Sequence, residues 1–136
     1  MDIFENRWNT NKKMQEKIIM EILVCIKQVP DDSVEISLDE ATGKPALDGV
    51  TPVVNAFDTY AEEMAVRLKE AVAESEVTVV SIGDDSVKNS LKNCLAVGAD
   101  HAYLVKCDEA EKLDGAAVAK VLAKAKADIE AAEGKT

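Results

Sequence analysis

Three short segments of the sequence have residue types suited to holding an adenine ring. They are residues 27–30 (KQVP), 55–58 (NAFD) and 83–85 (GDD). Each follows an apolar run or opens a helical pattern, so each is predicted at the carboxyl end of a strand or at a helix N-terminus. Ligands of open parallel sheets bind at these places. Their backbone N–H and C=O groups match the donors and acceptors on the edge of adenine, so these segments are the candidate site.

Each segment also has a purely structural interpretation. Lys27 can be a solvated strand end, and Gly83 can serve only to turn the chain. Asn55 and Asp58 are good helix-capping residues with or without a ligand, and their spacing imitates a capping box. These local roles explain the residue types as well as binding does, so both interpretations stay open at this point.

The cysteines and the histidine favour structural roles. Cys25 and Cys94 suit small apolar core positions, and His101, beside Asp100, suits a surface position. The third cysteine is Cys107, and an odd count without a C-x-x-C pair argues against a disulfide framework or a zinc site. We therefore predict reduced thiols and no metal centre.

Common enzymatic signatures are absent from the sequence. It contains no G-x-G-x-x-G after the first strand, no G-x-x-x-x-G-K-[ST] and no G-x-S-x-G. The carboxylate pairs at residues 31–32 and 84–85 lie in predicted turns, where Asp commonly bonds its own backbone. The sequence predicts no catalytic constellation.

Charge and hydropathy disfavour two classes of partner. With 26 acidic and 16 basic residues, the net charge of −10 repels nucleic acid and anionic lipid. No apolar run approaches the roughly 18–20 residues of a membrane span, and no secretory signal is recognisable. We predict a cytoplasmic protein without membrane insertion.

The apolar patterns alternate between strand and helix, which predicts a parallel α/β sheet with helices on both faces. The continuous run at 22–26 predicts a strand buried on both faces. The elements predicted are a strand at 22–26, a hairpin of strands at 34–38 and 45–50, a helix at 55–73, a strand at 77–82, a helix burying Val87, Leu91, Cys94 and Leu95 and ending at Gly98, a strand at 102–105 and a helix from Asp114 that buries Val118, Val121, Leu122 and Ala125.

The helix at 55–73 is the strongest of the predicted helices. Its apolar residues recur at helical spacing and predict one buried face, formed by Ala61, Met64, Ala65, Leu68 and Val72.

Residues 1–19 differ in composition from residues 20–136, which we take as one domain. Their apolar residues show no sustained periodicity, so we predict an extension that is disordered or that precedes a native start at Met20. The alternative is a partner-docking arm that uses Phe4 and Trp8.

Five stretches between Met20 and Ile129 resemble the electron-transfer flavoprotein beta subunit, in the order that family has them. They are EILVCIKQVPD, the hairpin with LDEATGK and LDGV, VNAFDTYAEEMAVRLKE, VTVVSIGDDSVKNSLKNCLAVGADHAYLV and LDGAAVAKVLAKA. The resemblance implies a Rossmann-like α/β sheet of the adenine-nucleotide alpha-hydrolase-like type. It also implies a small β-hairpin insertion and a fold that is incomplete at the C-terminus of this chain.

The resemblance further implies an electron carrier rather than an enzyme. Beta subunits of this family pair with an alpha subunit and hold AMP, or FAD in electron-bifurcating members. Their partners include acyl-CoA dehydrogenase-type flavoproteins and a quinone oxidoreductase, or ferredoxin and NADH. Carried over by position, the adenine-nucleotide contacts fall at Cys25, Asn55, Ala56, Phe57, Asp58 and Ile82. Lys27 and Gly83, taken from the strand-end segments described above, complete the expected cofactor-binding residues.

The sequence departs from the family pattern in two respects. Ala56 stands where the family commonly has Pro, and the later Asp-Gly-Asp-Thr-like segment that holds the phosphates is not found before Thr136. We therefore expect AMP or FAD binding to this chain to be weak or absent. A stand-alone nucleotide sensor of the universal-stress-protein kind is disfavoured, because its late glycine-rich loop is missing. An interaction domain that has lost its ligand remains an alternative.

Overall fold

The computed structural model describes residues 2–5 and 20–134 of the chain. Within those ranges no helix is both long and apolar enough to cross a bilayer. The elements are, in chain order, strands β1 (Asp2–Glu5), β2 (Met20–Cys25), β3 (Gln28–Pro30) and β4 (Pro52–Val54), helix α1 (Ala56–Ala71), strand β5 (Ser75–Gly83), helix α2 (Val87–Val97), strand β6 (His101–Lys106), a 3-10 helix (Ala110–Lys112) and helix α3 (Gly115–Ala132).

A sheet with the strand order β1-β6-β5-β2 forms the centre of the described structure. Strands β2, β5 and β6 are parallel, and β1 pairs antiparallel with β6. Parallel neighbours need long crossovers, and α1 and α2 provide them. The predicted Rossmann-like α/β class is confirmed.

The prediction for residues 1–19 falls mainly on residues 6–19, which lie outside the described ranges. The first four described residues, Asp2–Glu5, form strand β1 at the edge of the sheet. The sequence reasoning did not find this strand, because its residues lack the alternation that marks a half-buried strand.

Helices cover both faces of the sheet. On one face Val77 and Val79 of β5 and Leu104 of β6 cluster with residues of α1 and α2. On the other face Val80 and Tyr103 cluster with residues of α3. Successive side chains of a strand point to opposite faces, which is why neighbouring residues of β5 serve two cores. The uninterrupted apolar run of β5 reflects this double burial.

Strand β2 is buried on one face only, so the prediction of a doubly buried strand at 22–26 was wrong. Val24 and Ile26 are buried, whereas Leu23 and Cys25 are exposed. Helix α3 clusters with residues of β5 and β6, and no described element buries this face of β2. The core role expected for Cys25 is therefore also wrong, while Cys94 does lie in the core.

The predicted strands at 34–38 and 45–50 are not formed. Their pairing is reduced to a single bridge between Leu38 and Pro45, and the insertion is closed instead by β3 and β4, which pair antiparallel. Val34 is 46% exposed and Leu38 is 68% exposed. Alternating apolar residues form a strand when one face packs on a core. Val34 and Leu38 are too exposed to pack on a core, so the strands do not form.

Helix α1 buries a different face from the one that its apolar residues predicted. Its buried residues are Glu62, Ala65 and Val66, whereas Met64 is 71% exposed and Leu68 is 45% exposed. Of the predicted face, Ala65 alone is buried. The buried face is instead the one that carries polar contacts at both ends of the helix.

Those contacts come from Asp58 in the first turn of α1 and Lys69 in its last turn. Asp58 accepts a hydrogen bond from the Lys27 N–H at 2.8 Å. The Lys69 ammonium donates to the Gly98 carbonyl at 2.5 Å and to the Asp100 carboxylate at 3.1 Å. Asp58 and Lys69 lie on the same face of α1, because their spacing of eleven residues equals about three turns.

Glu62 lies on this buried face of α1. Its side chain is 3% exposed, and the Cys94 thiol donates a hydrogen bond to its carboxylate. Its Oε1 atom has no hydrogen-bond partner among the described residues. Burial raises the pKa of Glu62 above its ordinary value of 4.5 and raises the pKa of Cys94 to about 12. Both effects arise because the charged forms lose hydration.

We expect Glu62→Leu to stabilise the protein at neutral and alkaline pH. A carboxyl whose pKa is raised by folding contributes its full stability below the unfolded value of 4.5 and loses it as pH rises through the folded value. The free energy of unfolding, measured in urea, should therefore increase by about 1–3 kcal/mol at around pH 8 and by less at around pH 5.

Glu63→Leu is the matched control, because Glu63 is exposed and paired with Arg67 on the surface. It should change stability little at either pH. A Glu62→Leu protein that is less stable than wild type at the higher pH would contradict the assignment.

Candidate functional site

A cavity opens at the carboxyl ends of β2, β5 and β6. Its volume is about 610 Å³, within the range of small-molecule pockets. Its lining includes Ile26 after β2, Ile82 and Gly83 at the end of β5 and Cys107 after β6. Its walls come from the insertion between β3 and β4 and from the start of α3. The cavity thus lies where parallel sheets bind ligands.

The chain just after β2 is joined to the start of α1 by two hydrogen bonds to the backbone of Lys27. The Asn55 N–H donates to the Lys27 carbonyl at 2.9 Å, and the Lys27 N–H donates to Asp58. Asn55 caps the helix as predicted, accepting from the Phe57 N–H at 3.3 Å. The capping-box role expected for Asp58 is wrong, since its carboxylate bonds the neighbouring strand end instead. Both backbone groups of Lys27 are therefore engaged within the protein.

The end of β5 turns sharply into α2. A Cβ atom on Gly83 would lie 2.5 Å from Cγ2 of Val87, so any other residue here would have to displace the Val87 side chain in the first turn of α2. The next residue, Asp84, accepts two hydrogen bonds on Oδ1, from the Ser86 N–H at 2.9 Å and the Ser86 hydroxyl at 2.5 Å. The Ser86 hydroxyl bond and then the backbone bond lower the pKa of Asp84, which keeps it ionised at neutral pH.

The side chain of Gln28 connects β3 to α2 beside the cavity. Its Nε2 donates to the Ser86 hydroxyl at 3.0 Å, and its Oε1 accepts from the Ser90 hydroxyl at 2.9 Å. Sequence reasoning included Gln28 for its backbone and missed its side-chain role. Ser90, on the apolar face of α2, was the signal that a buried polar partner was needed.

The predicted site residues fall into three groups. Lys27, Ile82 and Gly83 line the cavity. Asn55 and Asp58 lie behind them and hold Lys27. Outside the lining are Ala56, Cys25 and Phe57, which are exposed to solvent.

The cavity lining is mostly apolar and includes acidic residues. Its charged lining residues are Lys27, Asp84, Asp108 and Glu111, so acidic residues outnumber the basic one. Three N–H groups at the start of α2 bond carbonyl oxygens of residues 84–86, so they are not directed at the cavity. No group of three or more His, Cys, Asp or Glu residues in the described ranges could hold a metal ion. The arrangement suits an uncharged, partly apolar ligand group.

Comparison with known proteins identifies the family. Residues 46–132 match the Electron transfer flavoprotein domain. The chain belongs to this family. The matched range contains α1, β5, α2, β6 and α3 and therefore two of the three candidate segments.

Several relatives with names are similar to the chain over most of its length. The chain is 39% identical over 115 residues to an electron transfer flavoprotein subunit beta of Megasphaera elsdenii, covering 85% of this chain and 42% of the relative. It is 42% identical over 106 residues to the subunit beta of Thermoanaerobacterium thermosaccharolyticum, covering 78% and 40%. It is 42% identical over 86 residues to the caffeyl-CoA reductase-Etf complex subunit CarD of Acetobacterium woodii, covering 63% and 32%.

These relatives confirm the beta-subunit resemblance inferred from the sequence. The chain spans less than half of the length of the curated relatives that it matches.

We expect Asp58→Ala to loosen the junction between β2 and α1. The substitution removes the acceptor of the Lys27 N–H, a hydrogen bond to a charged group that is worth about 1.5–3 kcal/mol when shielded and less at this exposed position. Amide hydrogen exchange followed by NMR should show faster exchange at Lys27, while the amides of β5 and β6 keep their protection.

Asp32→Ala is the control, since Asp32 lies in an exposed turn away from this junction. Unchanged protection of the Lys27 amide in Asp58→Ala would show that the carboxylate does not hold the strand end.

Proposed function

We propose that this chain is the nucleotide-binding part of an electron-transfer flavoprotein beta subunit, working in the cytoplasm as a carrier rather than as an enzyme. The observation that carries the proposal is the family match over residues 46–132 in a chain whose parallel strands end at one cavity. Its ligand is AMP or FAD. FAD, where it is the ligand, would supply the electron-carrying flavin, and the residues of this chain would bind and orient the nucleotide.

The proposed binding residues act in two ways. Lys27, Ile82 and Gly83 lie against the ligand, because they line the cavity. Asn55 and Asp58 position Lys27 through its backbone. Cys25, Ala56 and Phe57 are proposed to contact the nucleotide at the outer margin of the site, by their family positions; their exposure leaves them accessible for this.

The adenine ring suits the apolar part of this cavity. Ile26, Val29, Ile82 and Val118 belong to the lining, and they offer apolar surface for the faces of a flat heterocycle. The phosphates suit it poorly, because carboxylates outnumber the one ammonium in the lining and repel them.

We expect AMP to bind this chain no more tightly than adenosine does. The phosphate adds negative charge beside Asp84, Asp108 and Glu111 and gains no N–H donors from the start of α2. Isothermal titration calorimetry, supplemented by NMR titration for weak binding, measures both affinities. AMP binding tighter than adenosine binding would contradict this expectation, and micromolar AMP binding to the 136-residue chain would contradict the weak binding expected from the sequence.

The proposed protein partner is an electron-transfer flavoprotein alpha subunit, with acyl-CoA dehydrogenase-type flavoproteins as electron donors. The names of the relatives support this, since one is a subunit of a caffeyl-CoA reductase-Etf complex. Helix α1 adds support by exposing a row of large apolar residues at helical spacing, namely Phe57, Tyr60, Met64 and Leu68. Exposed apolar rows of this kind mark contact surfaces.

We expect co-expression with an alpha subunit from the same source to yield a yellow complex. Flavin absorbance that co-elutes with both chains in size-exclusion chromatography is the measurement. Met64→Asp should weaken the complex by at least about tenfold, because it places a charge in the apolar row.

The control for Met64→Asp is Asn93→Asp, which adds the same charge at an exposed position on α2. Failure of the wild-type chain to form any complex would contradict the heterodimer proposal. If Met64→Asp and Asn93→Asp form the complex equally well, the proposal that α1 belongs to the interface is wrong.

A further inference from the structure

Asp84 is a carboxylate at the edge of the cavity with one oxygen committed and one oxygen available. Both hydrogen bonds from Ser86 end on Oδ1. No hydrogen bond to Oδ2 is found among the described residues, and Asp84 belongs to the cavity lining. Asp84 thus brings to the cavity lining a carboxylate whose second oxygen accepts no hydrogen bond from the described residues.

The position of this carboxylate is held by a chain of contacts that reaches the core. Ser86, which bonds Asp84, receives a hydrogen bond from Gln28. Gln28 in turn accepts from Ser90, which is 3% exposed. On the other side Gly83 is buried, and its carbonyl accepts from the Cys107 N–H at 2.8 Å. Supported in this way, the acceptor is pre-organised before a ligand arrives.

The chemistry of an ionised carboxylate selects the ligand group that it can meet. It has acceptor capacity only, so it needs a hydroxyl or an N–H donor. It repels phosphate, as Asp108 and Glu111 in the same lining also do. A ribose diol is an uncharged donor group directly attached to a base, and acidic side chains after a parallel strand bind ribose hydroxyls in other nucleotide-binding sheets.

We propose that Asp84 binds the ribose hydroxyls of the nucleoside and makes the cavity prefer ribonucleosides to 2′-deoxyribonucleosides. This inference rests on the proposed function, since it requires a nucleoside whose base lies in the apolar part of the cavity. It assigns a specificity role to a residue that the sequence reasoning treated as part of a turn.

The test compares two ligands with two matched variants of the 136-residue chain. Adenosine and 2′-deoxyadenosine are titrated into 15N-labelled protein, and dissociation constants are taken from amide chemical shifts. We expect the wild-type chain to bind adenosine roughly tenfold more tightly than 2′-deoxyadenosine, because only adenosine has the 2′-hydroxyl that can donate a hydrogen bond to the charged carboxylate. Asp84→Ala should bring the ratio of the two constants to about one, mainly by weakening adenosine.

Asp85→Ala is the control, and it should keep the wild-type ratio. Asp85 neighbours Asp84 but does not line the cavity, and its carboxylate pairs with Lys88 and Lys106. The ratio is the informative quantity, because a purely structural effect on the turn would weaken both ligands alike. If Asp84→Ala does not fold, Asp84→Asn replaces it, because its amide oxygen still accepts from Ser86. It should also lower the preference for adenosine over 2′-deoxyadenosine.

The outcomes separate this inference from the proposed function. No adenosine binding to wild type would overturn both the nucleoside site and the role of Asp84. Adenosine binding with equal affinity for 2′-deoxyadenosine, or a ratio that Asp84→Ala leaves unchanged, would overturn the role of Asp84 alone.

Discussion

The two polar contacts at the ends of helix α1 connect it to the strands of the sheet. Asp58 ties the first turn to the backbone of Lys27, and Lys69 ties the last turn to Gly98 and Asp100. Asp100 also accepts from the Val77 N–H at 2.8 Å at the start of β5. The helix is therefore connected to both ends of the sheet, to the strand end beside the cavity and to the opposite edge.

This attachment accompanies an arrangement that hydrophobic burial alone would not favour. The same rotation that satisfies Asp58 and Lys69 buries Glu62 and turns Met64 towards solvent. Burying a carboxyl beside a thiol costs free energy because the charged form loses hydration. The same helix exposes its apolar residues at the surface and holds Lys27 beside the cavity. The free-energy cost of burying Glu62 is therefore linked, through α1, to the proposed binding and partner roles.

At the cavity, local hydrogen bonds already engage several backbone groups that the proposed nucleotide would otherwise meet. The Lys27 backbone groups are used by Asn55 and Asp58, and the first N–H groups of α2 are used by residues 84–86. What remains for a ligand is the apolar wall, the carboxylates and the Lys27 side chain. Such a lining complements a base and its sugar better than a phosphate, and this agrees with the weak nucleotide binding expected from the sequence.

The sequence by itself determined the features that depend on neighbouring residues. The apolar runs of β5 and β6, the cap at Asn55, the end of α2 at Gly98 and the start of α3 at Asp114 follow from local propensity and spacing. The family resemblance was visible in the same way, since it extends over ordered stretches of chain. These features were predicted and confirmed.

Only the tertiary structure decided the features that depend on distant partners. Asp58 was predicted to cap its own helix, but it bonds Lys27, which lies 31 residues away in the chain. The exposure of one face of β2 and the missing strand at 34–38 depend on which elements pack against them. The Gln28–Ser90 hydrogen bond joins residues 62 positions apart. Periodicity reports which residues are apolar, whereas contacts across the fold choose the face that is buried and the polar group that each side chain meets.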